Sequence, residues 1–197
     1  MSLKESTKKI TKNPCLEEDK KLEFFEVIQK RYSHKEKFLP NSVALSDLEL
    51  IAQAGLLAPS GNNSQYARLI ILPDRESLQP LCDVSPAEGL LTAPAAIAVL
   101  TDPSAQAYQW NFEVEDYSAC AAQMLLAATA LGYSSLWLDS PYFDEDKQKK
   151  ALQVLGAPST YHLRVVLPIG FPDGEGKRRE KMPFEKRVSY KIFGKAK

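Results

Sequence analysis

Leu57-Ala58-Pro59-Ser60-Gly61-Asn62-Asn63-Ser64-Gln65 joins two runs of different period. Upstream, Leu50, Ile51, Ala54 and Leu57 recur on one face of a helix. Downstream, Ala67 to Leu72 is a short apolar run of strand character, stopped by Pro73. The junction between them holds a Pro, a Gly and five small polar side chains: Ser60, Asn62, Asn63, Ser64 and Gln65. Hydroxyl and amide groups both donate and accept, so the loop suits a planar ligand with alternating donors and acceptors along one edge. Read alone, it is a helix stop followed by an Asn/Ser turn.

Working back from this loop, Ser46-Asp47-Leu48-Glu49 reads as a capping box, with Ser46 as N-cap and Glu49 three residues on. Before it, Leu16 to Arg31 fits a helix, with Leu22, Phe25 and Ile28 or Gln29 at helical spacing. That helix runs into Arg31-Tyr32-Ser33-His34-Lys35-Glu36-Lys37-Phe38. Cations gather at helix C-termini through the dipole. Arg, Lys and a hydroxyl together also hold a phosphate or a polar ring edge.

Working forward, Arg75 to Cys82 fits a short helix, and Pro94 to Leu100 a buried central strand. Tyr108, Trp110 and Phe112 follow in a stretch without a clear period. Glu113 to Leu131 is the longest helix, with Val114, Tyr117, Ala121, Met124, Leu125, Ala128 and Leu131 as its apolar stripe. Its many alanines permit close approach to another helix. Gly132 is placed to end it. Ser134 to Leu138 is a strand, Asp144 to Leu155 a helix stopped by Gly156, and Leu163 to Phe171 a strand. The tail from Asp173 carries Lys177, Arg178, Arg179, Lys181, Lys186, Arg187 and Lys191, and so an excess of positive charge.

Strands separated by helices make this an α/β or α+β protein. Residues 1–20 are a polar arm, and 21–197 a single domain with an extended C-terminal segment. Lys+Arg and Asp+Glu are 25 each, so no overall field draws the chain to nucleic acid or a membrane. No apolar run approaches the ~20 residues of a membrane span, and the basic opening is followed by no apolar signal core. Cys15, Cys82 and Cys120 are widely spaced and match no metal or redox motif, which points to reduced thiols and a cytoplasmic location. His34 and His162 lie far apart, pair with no nucleophile and suggest no zinc site. Neither GxGxxG after a strand nor GxxxxGK[ST] is present.

Six motifs occur in order over residues 24–190: Arg31-Tyr32-Ser33-His34-Lys35, Ala58 to Gln65, Ala93-Pro94, Gln123 with Leu125 to Ala128, Leu131-Gly132 before Trp137, and Leu167 to Pro172 ahead of the basic segment and Pro183-Phe184-Glu185. Each is weak alone. Together they resemble the FMN-dependent nitroreductase-like flavoproteins. The resemblance implies a three-layer fold, a central mixed, mainly antiparallel sheet flanked by helices, in an interlocked homodimer with the alanine-rich helix at the interface. It implies FMN as cofactor, NADH or NADPH as hydride donor to flavin N5, and a ping-pong reduction of an electron-poor small molecule such as a nitroaromatic or quinone. No side chain need act as acid or base. By the same resemblance Arg31, Tyr32, Ser33, Arg179 and Lys181 fall at the phosphate, with Lys177 or Arg178 as alternatives in the tail. Lys35 falls beside the N1/C2 side of the ring. Pro59, Ser60, Asn63 and Gln65 fall at the pyrimidine edge, reaching a flavin bound mainly by the partner. The backbone N–H of Ser140 is assigned to N5.

The chain departs from the pattern at three places. Tyr32 replaces a basic or imidazole group, Tyr66-Ala67 replaces Pro-Trp, and Leu138-Asp139-Ser140-Pro141 contains no Gly. The alternatives are a same-fold flavoenzyme of another reaction, such as dehydrogenation or reductive dehalogenation, and a non-catalytic protein that binds FMN or another phosphorylated ligand.

Overall fold

The computed structural model describes residues 23–105 and 109–195. Ten principal elements follow in order: α1 (Phe24–Lys30), α2 (Leu45–Leu56), β1 (Ala67–Leu72), α3 (Arg75–Val84), α4 (Glu88–Thr92), β2 (Ala95–Thr101), α5 (Glu113–Ala130), β3 (Ser134–Ser135), α6 (Glu145–Val154) and β4 (His162–Gly170). The polar arm, the start of the expected first helix, Cys15 and Tyr108 lie outside the described residues.

The sheet has the order β1-β2-β4-β3, every pair antiparallel. An isolated parallel bridge, Ser33 to Ser135, ties the segment after α1 to its edge. All of β2 is buried, as its unbroken apolar run between Pro94 and Asp102 requires. Alternation divides it between two cores. Ala96, Ala98 and Leu100 face Leu78, Leu81, Leu90 and Leu152 on one side. Ala95, Ile97 and Val99 face Leu48, Ile51, Ala121 and Met124 on the other. The result is three layers, with α3, α4 and α6 covering one face and α2 and α5 the other.

Helices α2 and α5 meet closely at Gly55. A Cβ there would sit 2.5 Å from Met124 Cγ and 3.0 Å from Cys120 Sγ. Gly55→Val is therefore expected to destabilise the fold by about 1–3 kcal/mol through overpacking. Urea titration at constant slope is the measurement; an unchanged midpoint would show that the helices are not so tightly apposed.

Several expectations need correction. The capping box is not at Ser46: α2 begins at Leu45 with Ala44 as an extended N-cap and no side-chain cap. The Asp47 carboxylate instead accepts from the Tyr133 hydroxyl at 2.7 Å. A capping box does form at Asp74 and Ser77, opening α3. In α1 Val27 is the buried residue, while Phe25 is 75% exposed. Such a short helix lays only one side chain inward. The stripe of α5 is also shifted at its start: Val114 is exposed, and Glu113 and Asp116 take the buried positions. Strand β3 is shorter than expected. Ladder pairing stops at Leu136 and Trp137, and Leu138 regains only a bridge to Val166. The short helix α4 was not foreseen, because Glu88-Gly89-Leu90-Leu91-Thr92 is too brief to show a period.

Candidate cofactor site

A groove of about 680 Å3 runs between the end of α1 and the C-terminal segment. Its lining includes Arg31, Tyr32, Ser33, Lys35 and Glu36 on one wall and Lys177, Arg178, Arg179 and Lys181 on the other. Thus the two basic clusters, far apart in sequence, are brought together. Pro59, Ser60, Asn63, Gln65 and Ser140 stand outside this lining. Among the described residues, Arg31, Lys35, Arg179 and Lys181 have no carboxylate within ion-pair distance. The Glu36 carboxylate accepts from the backbone N–H of Lys35 at 3.2 Å and lies 3.8 Å from His34 Nδ1. The groove therefore presents an excess of unmatched positive charge, which favours an anion.

Tyr32 is the platform on which the tail is laid. Gly176 packs so closely against its ring that a Cβ would overlap it, 1.9 Å from Cε2. Arg178 lies over the same ring, 5.6 Å from its centre. Its guanidinium also donates to the carbonyl oxygens of Gln29 and Lys30, at the negative end of α1. Arg178 thus holds a positive charge between the Tyr32 ring and the end of α1. His34 is fully buried and structural. Its Nε2–H donates to Lys37 O at 2.8 Å, and its ring packs edge-on against Phe38. Further along, the backbone N–H of Asp173 donates to Lys37 O at 2.9 Å, fixing the tail where it leaves the sheet.

The 59–65 loop is a separate structure at the α2–β1 junction. Asn62, Asn63 and Gln65 all have positive φ, at 50°, 57° and 52°, in the left-handed region that Asn tolerates better than Gln. Asp116 lies beneath them. Its carboxylate accepts from the backbone N–H of Gly61 at 2.7 Å, the Ser64 hydroxyl at 3.3 Å and the backbone N–H of Tyr66 at 3.4 Å. Ser64 is consequently turned inward, while the side chains of Asn63 and Gln65 are exposed. Sequence reasoning passed over Asp116. Its spacing from Cys120 and Met124, four and eight residues on, places it on the buried face of α5 and was the available signal.

One turn away, Glu113 is buried among Thr101, His162 and Arg164. Burial opposes its ionisation, but hydrogen bonds from Arg164, Thr101 and His162 outweigh it and hold the carboxyl at about 2. The two described cysteines are free and buried, and burial pushes the Cys120 thiol up to about 11 and Cys82 upward. Both are therefore protonated and unreactive at neutral pH.

Comparison with known proteins identifies relatives of this fold. The model of the nitroreductase family matches residues 28–88 and 78–171. A relative from Archaeoglobus fulgidus, carried under the provisional name NADH dehydrogenase/NAD(P)H nitroreductase, is 36% identical over 130 residues, covering 66% of this chain and 74% of its own. Among solved structures, an FMN-dependent nitroreductase from Clostridium difficile is 27% identical with a TM-score of 0.73, over 85% of this chain and 98% of its own. A second, from Desulfovibrio desulfuricans, was solved with FMN and shares the fold at 23% identity and a TM-score of 0.74, over 93% of this chain and 99% of its own. With its three layers, its antiparallel sheet and a family match spanning most of the described fold, this chain belongs to the nitroreductase family.

Proposed function

We propose that this chain is an FMN-dependent NAD(P)H oxidoreductase that reduces an electron-poor small molecule and works as a homodimer. The observation that carries the reading is the groove, in which unmatched cations from two distant segments converge beside the Ser33 hydroxyl. Its volume of about 680 Å3 is of the size that takes a cofactor. The name of the Archaeoglobus relative supports the nicotinamide donor, and that of the Clostridium structure supports FMN.

Arg31, Ser33, Arg179 and Lys181 would hold the terminal phosphate through charge-assisted hydrogen bonds. Lys35 supplies a positive charge to the pyrimidine side of the ring, favouring its reduced, electron-rich form. Ser60, Asn63 and Gln65 offer donors and acceptors to the pyrimidine edge of a flavin held chiefly by a second copy, with Pro59 shaping the loop. The backbone N–H of Ser140 is the donor proposed for N5. Bound FMN would supply reversible two-electron chemistry, accepting hydride from a nicotinamide and passing it to the acceptor. Unpartnered apolar side chains at both ends of α2, Leu45, Leu56 and Leu57, support burial against another copy.

The test is the visible spectrum of freshly purified protein before and after anaerobic NADH or NADPH. Flavin bands that bleach support the reading. Bands that persist favour the other flavin reactions or a binding role, and no bands after soaking with FMN overturn it.

A further inference from the structure

The 60–65 loop is held in its shape by one carboxylate, and that carboxylate has no part in the reaction as proposed. Asp116 is 3% exposed and accepts from three donors on a six-residue span. That span includes three non-glycine residues with positive φ, a conformation that persists only where the surroundings impose it. The restraint is reinforced on the other side. Gly61 lies against Phe112, where a Cβ would come within 2.1 Å of the ring. The Ser64 hydroxyl shares its single proton between Gly61 O, the nearer acceptor, and Asp116, closing the turn on itself. Arg68 Nη1 donates to Gln65 O at 2.7 Å and fixes the exit.

The consequence is a sorting of side chains. Donors that could compete for a ligand, the Gly61 and Tyr66 N–H groups and the Ser64 hydroxyl, are all spent on Asp116 or within the loop itself. The Asn63 and Gln65 side chains are left exposed. We propose that Asp116 is a positioning residue that presets the 60–65 loop, so that Asn63 and Gln65 meet the pyrimidine edge of the flavin without further ordering of the backbone. Preorganisation of this kind raises affinity by removing an ordering cost rather than by adding a contact. The inference rests on the flavin reading given above.

The experiment compares wild type with Asp116→Asn, Asp116→Ala and Ser64→Ala. Dissociation constants are measured for FMN and for riboflavin, which lacks the phosphate, along with the midpoint potential of the bound flavin. Asp116→Asn is nearly isosteric and retains one acceptor, so it keeps the test open should Asp116→Ala fold poorly. The expected result is a rise of roughly tenfold in the dissociation constants of both flavins for Asp116→Ala, smaller for Asp116→Asn and Ser64→Ala. The ratio of FMN to riboflavin affinity should stay as in wild type, because the phosphate groove is untouched, and the potential should shift. Folded variants with wild-type affinities and potential would overturn the role of Asp116 and leave the flavin reading standing. A wild-type chain that binds neither flavin would remove that reading, and this role with it.

Discussion

Glu113→Ala is expected to lower stability by about 1–3 kcal/mol, the effect of taking a buried carboxylate away from the charged and polar donors around it. Glu113 is 5% exposed at the first turn of α5. It ties β2 to β4 by accepting from Thr101 on one strand and from His162 and Arg164 on the other. Removing it leaves the partly exposed Arg164 guanidinium without its carboxylate. Glu113→Gln should cost less, since an amide oxygen still accepts from Thr101. Replacing Glu113 and Arg164 together with apolar residues of similar size should recover most of the loss. Chemical denaturation of the three variants is the check, and equal losses for Glu113→Ala and the double replacement would sink the idea. The same carboxylate fixes an acid limb. Its folded value of about 2 lies below the ordinary 4.5, so the folded state binds the proton more weakly than the unfolded chain. Its contribution is complete above 4.5 and drains away as pH falls through about 2. Glu113→Gln should flatten the stability profile over that interval.

Removing Arg31 and Arg179 together should weaken FMN binding by about two to three powers of ten. Hydrogen bonds from a cation to a charged acceptor are each worth about 1.5–3 kcal/mol, or roughly ten- to hundredfold in affinity. The two belong to one groove, so their effects should fall short of additive. Riboflavin provides the control: its affinity should hardly move in the double variant, and the salt dependence of FMN binding should become shallower. Equal losses for both flavins would show that these cations do not serve a phosphate.

Much of this architecture could be read in the chain itself. The unbroken Ala95–Leu100 run announced a strand buried on both faces, and β2 is the second of four strands. Gly132 and Gly156, both at positive φ, end α5 and α6 where the pattern stopped. Local rules failed where tertiary contacts overrode them. Ser46 satisfies the capping pattern, yet Asp47 is engaged by Tyr133 across 86 positions, and the helix begins earlier. Apart from the spacing of Asp116, nothing local marks the acidic residues at the head of α5 as buried. Glu113 is buried because Arg164 and Thr101 satisfy it, and Asp116 because a loop does. Neither partner set is visible at short range. The basic clusters were legible as charge. That Gly176 and Arg178 clasp Tyr32 was not, since no periodicity encodes contact between segments so far apart.

The contact between Arg178 and the end of α1 spans 149 positions of chain. A groove wall with that separation closes only after the strands between have paired, because loop closure on this scale gains nothing until the sheet supplies the rest of the contact surface. The segment 174–181 is also largely exposed. It should therefore open at a free energy well below that of the whole fold, and its amides should exchange hydrogen first. A phosphorylated ligand bridging both walls would bind only the closed form. Protection of this segment would then rise with ligand concentration while that of β2 stayed near the global limit, making tail exchange a direct gauge of site occupancy.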